Sequence, residues 1–120
     1  MSRSQLLYLN DIADAVKNIQ SYVRNLTHEE FTDDQMRVDA VIRNFEIIGE
    51  AVKNLSEDIK TEFPKIDWRA VSGFRDVLIH GYFGVDMDIL WDIIVQKVPE
   101  LQNEIERIIA YEQDKKIENS

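Results

Sequence analysis

The stretch Val38–Leu55, VDAVIRNFEIIGEAVKNL, decides the fold. Its apolar residues Val38, Val41, Phe45, Ile48, Val52 and Leu55 recur every three or four positions, the interval of one helical face. No alternation with a period of two, which a half-buried strand would need, runs through it. A helix this long and this one-sided has to lie against other helices. Gly49, inside the run, reads as a point of close helix packing, and its neighbour Glu50 as a residue of the solvated face.

The same pattern extends in both directions. Upstream, Leu6, Leu9, Ile12, Ala13, Val16, Ile19 and Val23 share a face, which predicts a first long helix. Between the two lies a connector over Leu26 to Phe31, with Thr27 and Glu30 spaced as a capping box. Thr32 and Gln35 repeat the spacing and are expected to open the second long helix. Downstream, Ser56 can cap a short helix ending before Pro64. Asp67 can cap a helix through about His80, with Gly81 and Gly84 supplying the break. Asp86 begins a last helix whose stripe runs through Leu90, Ile93, Ile94, Val98, Leu101, Ile105, Ile108 and Ile109. Pro99 sits inside that stripe without breaking its phase, so one kinked helix is expected. The fold class is therefore all-α, an antiparallel helical bundle of three long and one or two short helices. Residues 1–112 form its single domain, and 113–120 a polar C-terminal tail expected to fray.

At 120 residues and 44% hydrophobic, the chain can build one core and is too short for two ordinary domains. It has no cysteine, which excludes disulfides, thiolate metal sites and a cysteine nucleophile. The opening MSRSQLLYLNDIADAV meets Asp11 and Asp14 before a signal-peptide core can form. With no long uncharged apolar run either, a cytoplasmic protein with no membrane partner is expected. Fourteen basic against 23 acidic residues give a net charge of −9, which lacks the footprint of an ordinary nucleic-acid binder. Only residues 64–85 come out positive: Lys65, Arg69 and Arg75 face Asp67 and Asp76. An anion would meet least repulsion there.

Common cofactor motifs are absent: there is no P-loop, Gly-rich dinucleotide fingerprint or HExxH sequence. No cofactor and no metal are expected. The acidic pairs Asp33–Asp34 and Asp86–Asp88 stand at expected helix starts, where carboxylates cap free N–H groups. His28, among Glu29 and Glu30, reads as a solvated loop residue. His80 differs. At about 100° per residue, Val71, Phe74, Val77 and Leu78 gather on the core side, while Gly73, Asp76 and His80 fall opposite. Asp76, four residues before His80, can reach the imidazole, fix its tautomer and raise its pKa. Gly73 leaves room for an approaching group, and Ile79 offers an apolar contact to a second subunit. Arg75, at the stripe's edge, can extend into the same cleft. Each residue also has a purely structural account. His80 suits the negative end of a helix, Arg75 can cover the core edge, and Tyr82 and Phe83 can pack between helices.

Together the segment Arg75-Asp-Val-Leu-Ile-His80-Gly-Tyr82 reads R-x4-H-x-Y, and it closely resembles the signature of HEPN-domain proteins of the HepT-like toxin branch. The likeness covers most of the chain. Val41–Leu55 is similar to the family's second long helix, Ile66–Phe83 (IDWRAVSGFRDVLIHGYF) to its motif helix, and Leu90–Leu101 (LWDIIVQKVPEL) to its final helix. Trp68 and Trp91 flank the motif. The resemblance implies a metal-independent ribonuclease whose site forms where two motif helices meet in a homodimer. It casts Arg75 as the phosphate-binding group, His80 as the general acid or base, and Asp76 as the residue that orients it or as a polar contact at the dimer cleft. It also implies a toxin–antitoxin module, in which a nucleotidyltransferase antitoxin silences the toxin by AMPylation of Tyr82. The main alternative is a non-catalytic partner that serves a nucleotidyltransferase by binding substrate or regulating it, which a net charge of −9 also suits. A plain dimeric scaffold is the third.

Overall fold

The first long helix, α1 (Gln5–Val23), begins at Ser4, whose hydroxyl accepts from the Leu6 N–H at 3.3 Å. In the computed structural model, which describes residues 4–81 and 84–118, six more α-helices follow in order and no strand occurs among the described residues. Thr27 and Glu30 form both halves of their capping box and open a one-turn helix, α2 (His28–Thr32). Hydrogen bonding to Thr27, from its backbone N–H first and its side chain second, holds the Glu30 carboxyl below its usual pKa.

One expected cap is corrected. Asp34, not Thr32, opens the second long helix, α3 (Gln35–Lys53), by accepting from the Arg37 N–H at 3.2 Å. Thr32 belongs to α2, and its hydroxyl donates to the His28 carbonyl. Asp33 likewise lies at the C-terminal end of α2 rather than at a helix start. A carboxylate two residues on simply competes better for α3's free N–H groups.

Ser56 caps α4 (Glu57–Glu62) through the Ile59 N–H, and Asp67 accepts from Ala70 at the head of α5 (Trp68–Gly81). Trp68 anchors that head: its indole N–H donates to the Phe63 carbonyl at 2.9 Å inside the core. Asp86 caps α6 (Met87–Asp92), which passes into a π-helical turn over Ile93–Lys97 and then α7 (Val98–Glu118). The π turn explains how the stripe survives Pro99. A wider turn just before the proline relieves its ring's clash with the carbonyl four residues back. Helix α7 runs on past Gln113, where the apolar stripe has already ended.

α3 packs between α1 and α5, and α1 packs in turn against α7. The stripes meet in one core. Leu9, Ile12, Val16 and Ile19 come from α1, Val38, Val41, Ile48 and Val52 from α3, and Leu90, Val98, Ile105 and Ile108 from the last helices. Buried polar groups inside it are paired: Asn44 accepts from Asn18 and donates to the Ala40 carbonyl, and Glu104 binds Arg107. No helix among the described residues is long and apolar enough to cross a membrane.

The α3–α5 contact is the tight one. A β-carbon at Gly49 would fall well inside van der Waals distance of the Arg75 β-carbon, so Gly49 is the packing point its position suggests. Phe45 meets Phe74 edge-on beside it, ring centres 5.4 Å apart. Gly→Ala in a helix interior ordinarily gains about 1 kcal/mol. Here Gly49→Ala should instead destabilise by roughly 1–3 kcal/mol through overpacking, read from urea unfolding midpoints. A stabilised Gly49→Ala protein would show that α3 and α5 separate without cost.

Candidate functional site

Helix α5 carries the site, and its burial pattern orients it. Leu78 is buried, with Val71 and Phe74 half-buried beside it against α3. His80 and Asp76 are exposed on the far side, as the wheel requires. Val77 is the exception to that wheel. The wheel puts it on the core side, yet it is 57% exposed. One residue from Leu78 is a turn of about 100°, which carries Val77 beyond the reach of α3. Ile79, 46% exposed, stands the same angle away on the other flank. Gly73 leaves the outer face open, since a methyl there would touch nothing within 4 Å. His80 thus sits on a helix face bordered by two exposed aliphatic side chains.

Arg75 points elsewhere. Its side chain lies only 23% exposed along α3, and its guanidinium meets two carboxylates. Nη2 is 2.9 Å from Glu50 Oε2, and Nη1 donates to Asp76 Oδ1 at 3.3 Å. Glu50 is therefore not merely a residue of the solvated face. Asp76 is engaged by Arg75, where the spacing suggested His80. Arg75 and Ile79 line a cleft of about 210 Å³ between α5, α3 and α1, with Tyr8 and Asp11 across it. His80 is not among the lining residues. Within one chain, Arg75 and His80 face different ways, separated by about 140° around α5. Tyr82, the third motif residue, lies outside the described residues.

The acidic pairs resolve into separate duties. Asp34 and Asp86 cap helices, while Asp88 pairs with His28. His28 is not a free loop residue: its Nε2 is 3.0 Å from Asp88 Oδ1, and its ring stacks on Trp91 at 5.6 Å with planes 4° apart. This fastens α2 to α6 across sixty residues of sequence. Among the described residues no group of three or more His, Asp or Glu side chains is placed to hold a metal ion. Glu50 was the residue that local reasoning missed. Its one available signal was adjacency to Gly49, because whatever packs against the glycine also meets the next side chain.

Comparison with known proteins adds to this geometry. The family model described as "Ribonuclease HepT-like" matches residues 12–108. A Methanocaldococcus jannaschii protein named as a candidate RNase is 45% identical over 102 residues, covering 85% of this chain and 84% of its own. The probable ribonuclease HepT of Thermococcus cleftensis is 44% identical over 108 residues, covering 90% and 98%. A candidate RNase of Caldanaerobacter subterraneus subsp. tengcongensis is 37% identical over 105 residues, covering 88% and 94%. No solved structure matches the chain significantly.

Proposed function

The chain belongs to the HepT-like ribonuclease family, and from that premise we propose that it is a cytoplasmic, metal-independent endoribonuclease acting as a homodimer. The observation that carries this reading is the exposure of His80 on α5 one and a half turns from Arg75, with both side chains outside the core. RNA supplies its own nucleophile, the 2′-hydroxyl. Its attack on the adjacent phosphorus expels the 5′-oxygen and leaves a 2′,3′-cyclic phosphate. His80 takes the proton from the nucleophile or delivers one to the leaving oxygen. Arg75 holds the phosphate and the charge that builds on it. Arg75 and His80 form no metal cage, and in this reading the guanidinium meets the charge.

One cation and one imidazole are a sparse set, and two-fold symmetry doubles it. Val77, Ile79 and the open surface at Gly73 supply the apolar border and the space for a second α5. The toxin role and its control follow from the same reading: a nucleotidyltransferase antitoxin adds AMP to Tyr82. The added phosphodiester and nucleoside then exclude RNA from a motif a few residues away. The net charge of −9 favours a second reading, in which the chain is a non-catalytic partner of such a nucleotidyltransferase.

His80→Ala and Arg75→Ala should each abolish cleavage of single-stranded RNA while the helical circular dichroism remains, since neither truncation opens a core cavity. Cleavage should persist in excess chelator, and dependence on an added divalent metal would contradict the mechanism. Solution mass should exceed the 14.1 kDa of one chain, and Ile79→Glu should return it to that value. A wild-type monomer that still cuts RNA would remove the composite site. Co-expression with the nucleotidyltransferase should leave adenylyl groups on Tyr82 by peptide mass mapping. Tyr82→Phe should cut RNA and escape silencing, whereas a silenced wild type without modification would mean inhibition by binding alone.

A further inference from the structure

Two carboxylates hold the Arg75 guanidinium, and they hold it differently. Glu50 comes from another helix, at 2.9 Å from Nη2, and Gly49 beside it leaves no room for a β-carbon between α3 and the Arg75 stem. Asp76 is the next residue along α5, is 62% exposed, and meets Nη1 at the looser distance of 3.3 Å. A guanidinium has five N–H donors in a rigid fork, so one carboxylate can fix its plane while other donors remain for a second anion. Glu50 is placed for the first task, and Asp76 sits on the edge that an incoming phosphate would take over.

We propose that Glu50 is a positioning residue for Arg75: it clamps Nη2 to α3 and so presents the remaining N–H edge of the guanidinium to the RNA phosphate. The proposal rests on the ribonuclease reading of Arg75 and His80 and adds a residue outside the R-x4-H-x-Y motif. Its chemical consequence runs against simple electrostatics. Glu50 places a negative charge beside the phosphate site, so removing it favours RNA binding in the ground state. Removing it also frees the guanidinium to rotate, and misplacement of a transition-state donor costs up to about a hundredfold in rate.

The test is steady-state cleavage of a quenched mixed-sequence single-stranded RNA oligonucleotide by the dimeric wild type, Glu50→Ala, Glu50→Gln and His80→Ala proteins. Glu50→Ala should lower kcat about ten- to a hundredfold with KM unchanged or reduced. Glu50→Gln, whose amide oxygen can accept from Nη2, should retain more of the rate. A second readout needs no turnover. In nuclear magnetic resonance spectra of protein labelled with nitrogen-15, the Arg75 Nη protons should be resolved by slow rotation about Nε–Cζ in the wild type and should coalesce in Glu50→Ala. Unchanged kcat in Glu50→Ala, a raised KM alone, or a rate loss that tracks loss of helical signal would each overturn the positioning role, with the ribonuclease intact. Cleavage that survives His80→Ala would overturn the ribonuclease reading instead. A freely rotating guanidinium in the wild type would overturn the clamp whatever the activity.

Discussion

The contact of α3 with α5 at Gly49 governs the site. A side chain at position 49 would have to push Arg75 away, and α5 with it. With only a hydrogen there, the Arg75 stem lies along α3, its guanidinium reaches Glu50, and Phe45 and Phe74 close the contact beside it. Seating α5 this way turns Leu78 inward and leaves His80, Asp76, Val77 and Ile79 on the outside. One missing methyl group thus sets which side chains are structural and which are free to do chemistry.

The electrostatics of that arrangement are unusual for a protein whose family acts on RNA. The chain carries −9, and its central cation stands between two acids. Such a surface repels nucleic acid at a distance, so long-range steering cannot be how substrate finds it. If Arg75 takes the RNA phosphate as proposed, recognition is short-range, with the phosphate exchanging for a carboxylate on the arginine fork. Exchange of that kind discriminates: only an anion able to meet the guanidinium's geometry displaces a partner already in place.

Much of this was legible in the sequence, and the division follows the range of each interaction. Periodicity placed the apolar stripes, and Thr27, Ser56, Asp67 and Asp86 each cap the helix they precede, because these are effects within a single turn. Thr32 misled because Asp34, two residues on, offers a better cap. Val77 misled because a helical wheel gives directions without the width of the neighbour, and α3 covers only the middle of the α5 stripe. His28 and Glu50 were read as solvated residues since their partners, Asp88 with Trp91 and Arg75, lie far along the chain. The motif and the angle between its arginine and histidine were visible, but not that Arg75 turns along α3 to Glu50 instead of into the cleft beside His80.

That divergence makes the pairing of Arg75 with His80 the central claim to examine. If the two act together across a pair of chains, an arginine from one protomer works with a histidine from the other. Mixing inactive Arg75→Ala and inactive His80→Ala proteins, with subunit exchange, reconstitutes one intact pair in each mixed dimer. RNA cleavage should then return to about a quarter of the wild-type rate, since half the dimers are mixed and each has one of two pairs. A mixture that exchanges subunits, as shown by mass, and stays inactive would contradict it: Arg75 and His80 would then have to serve from the same chain.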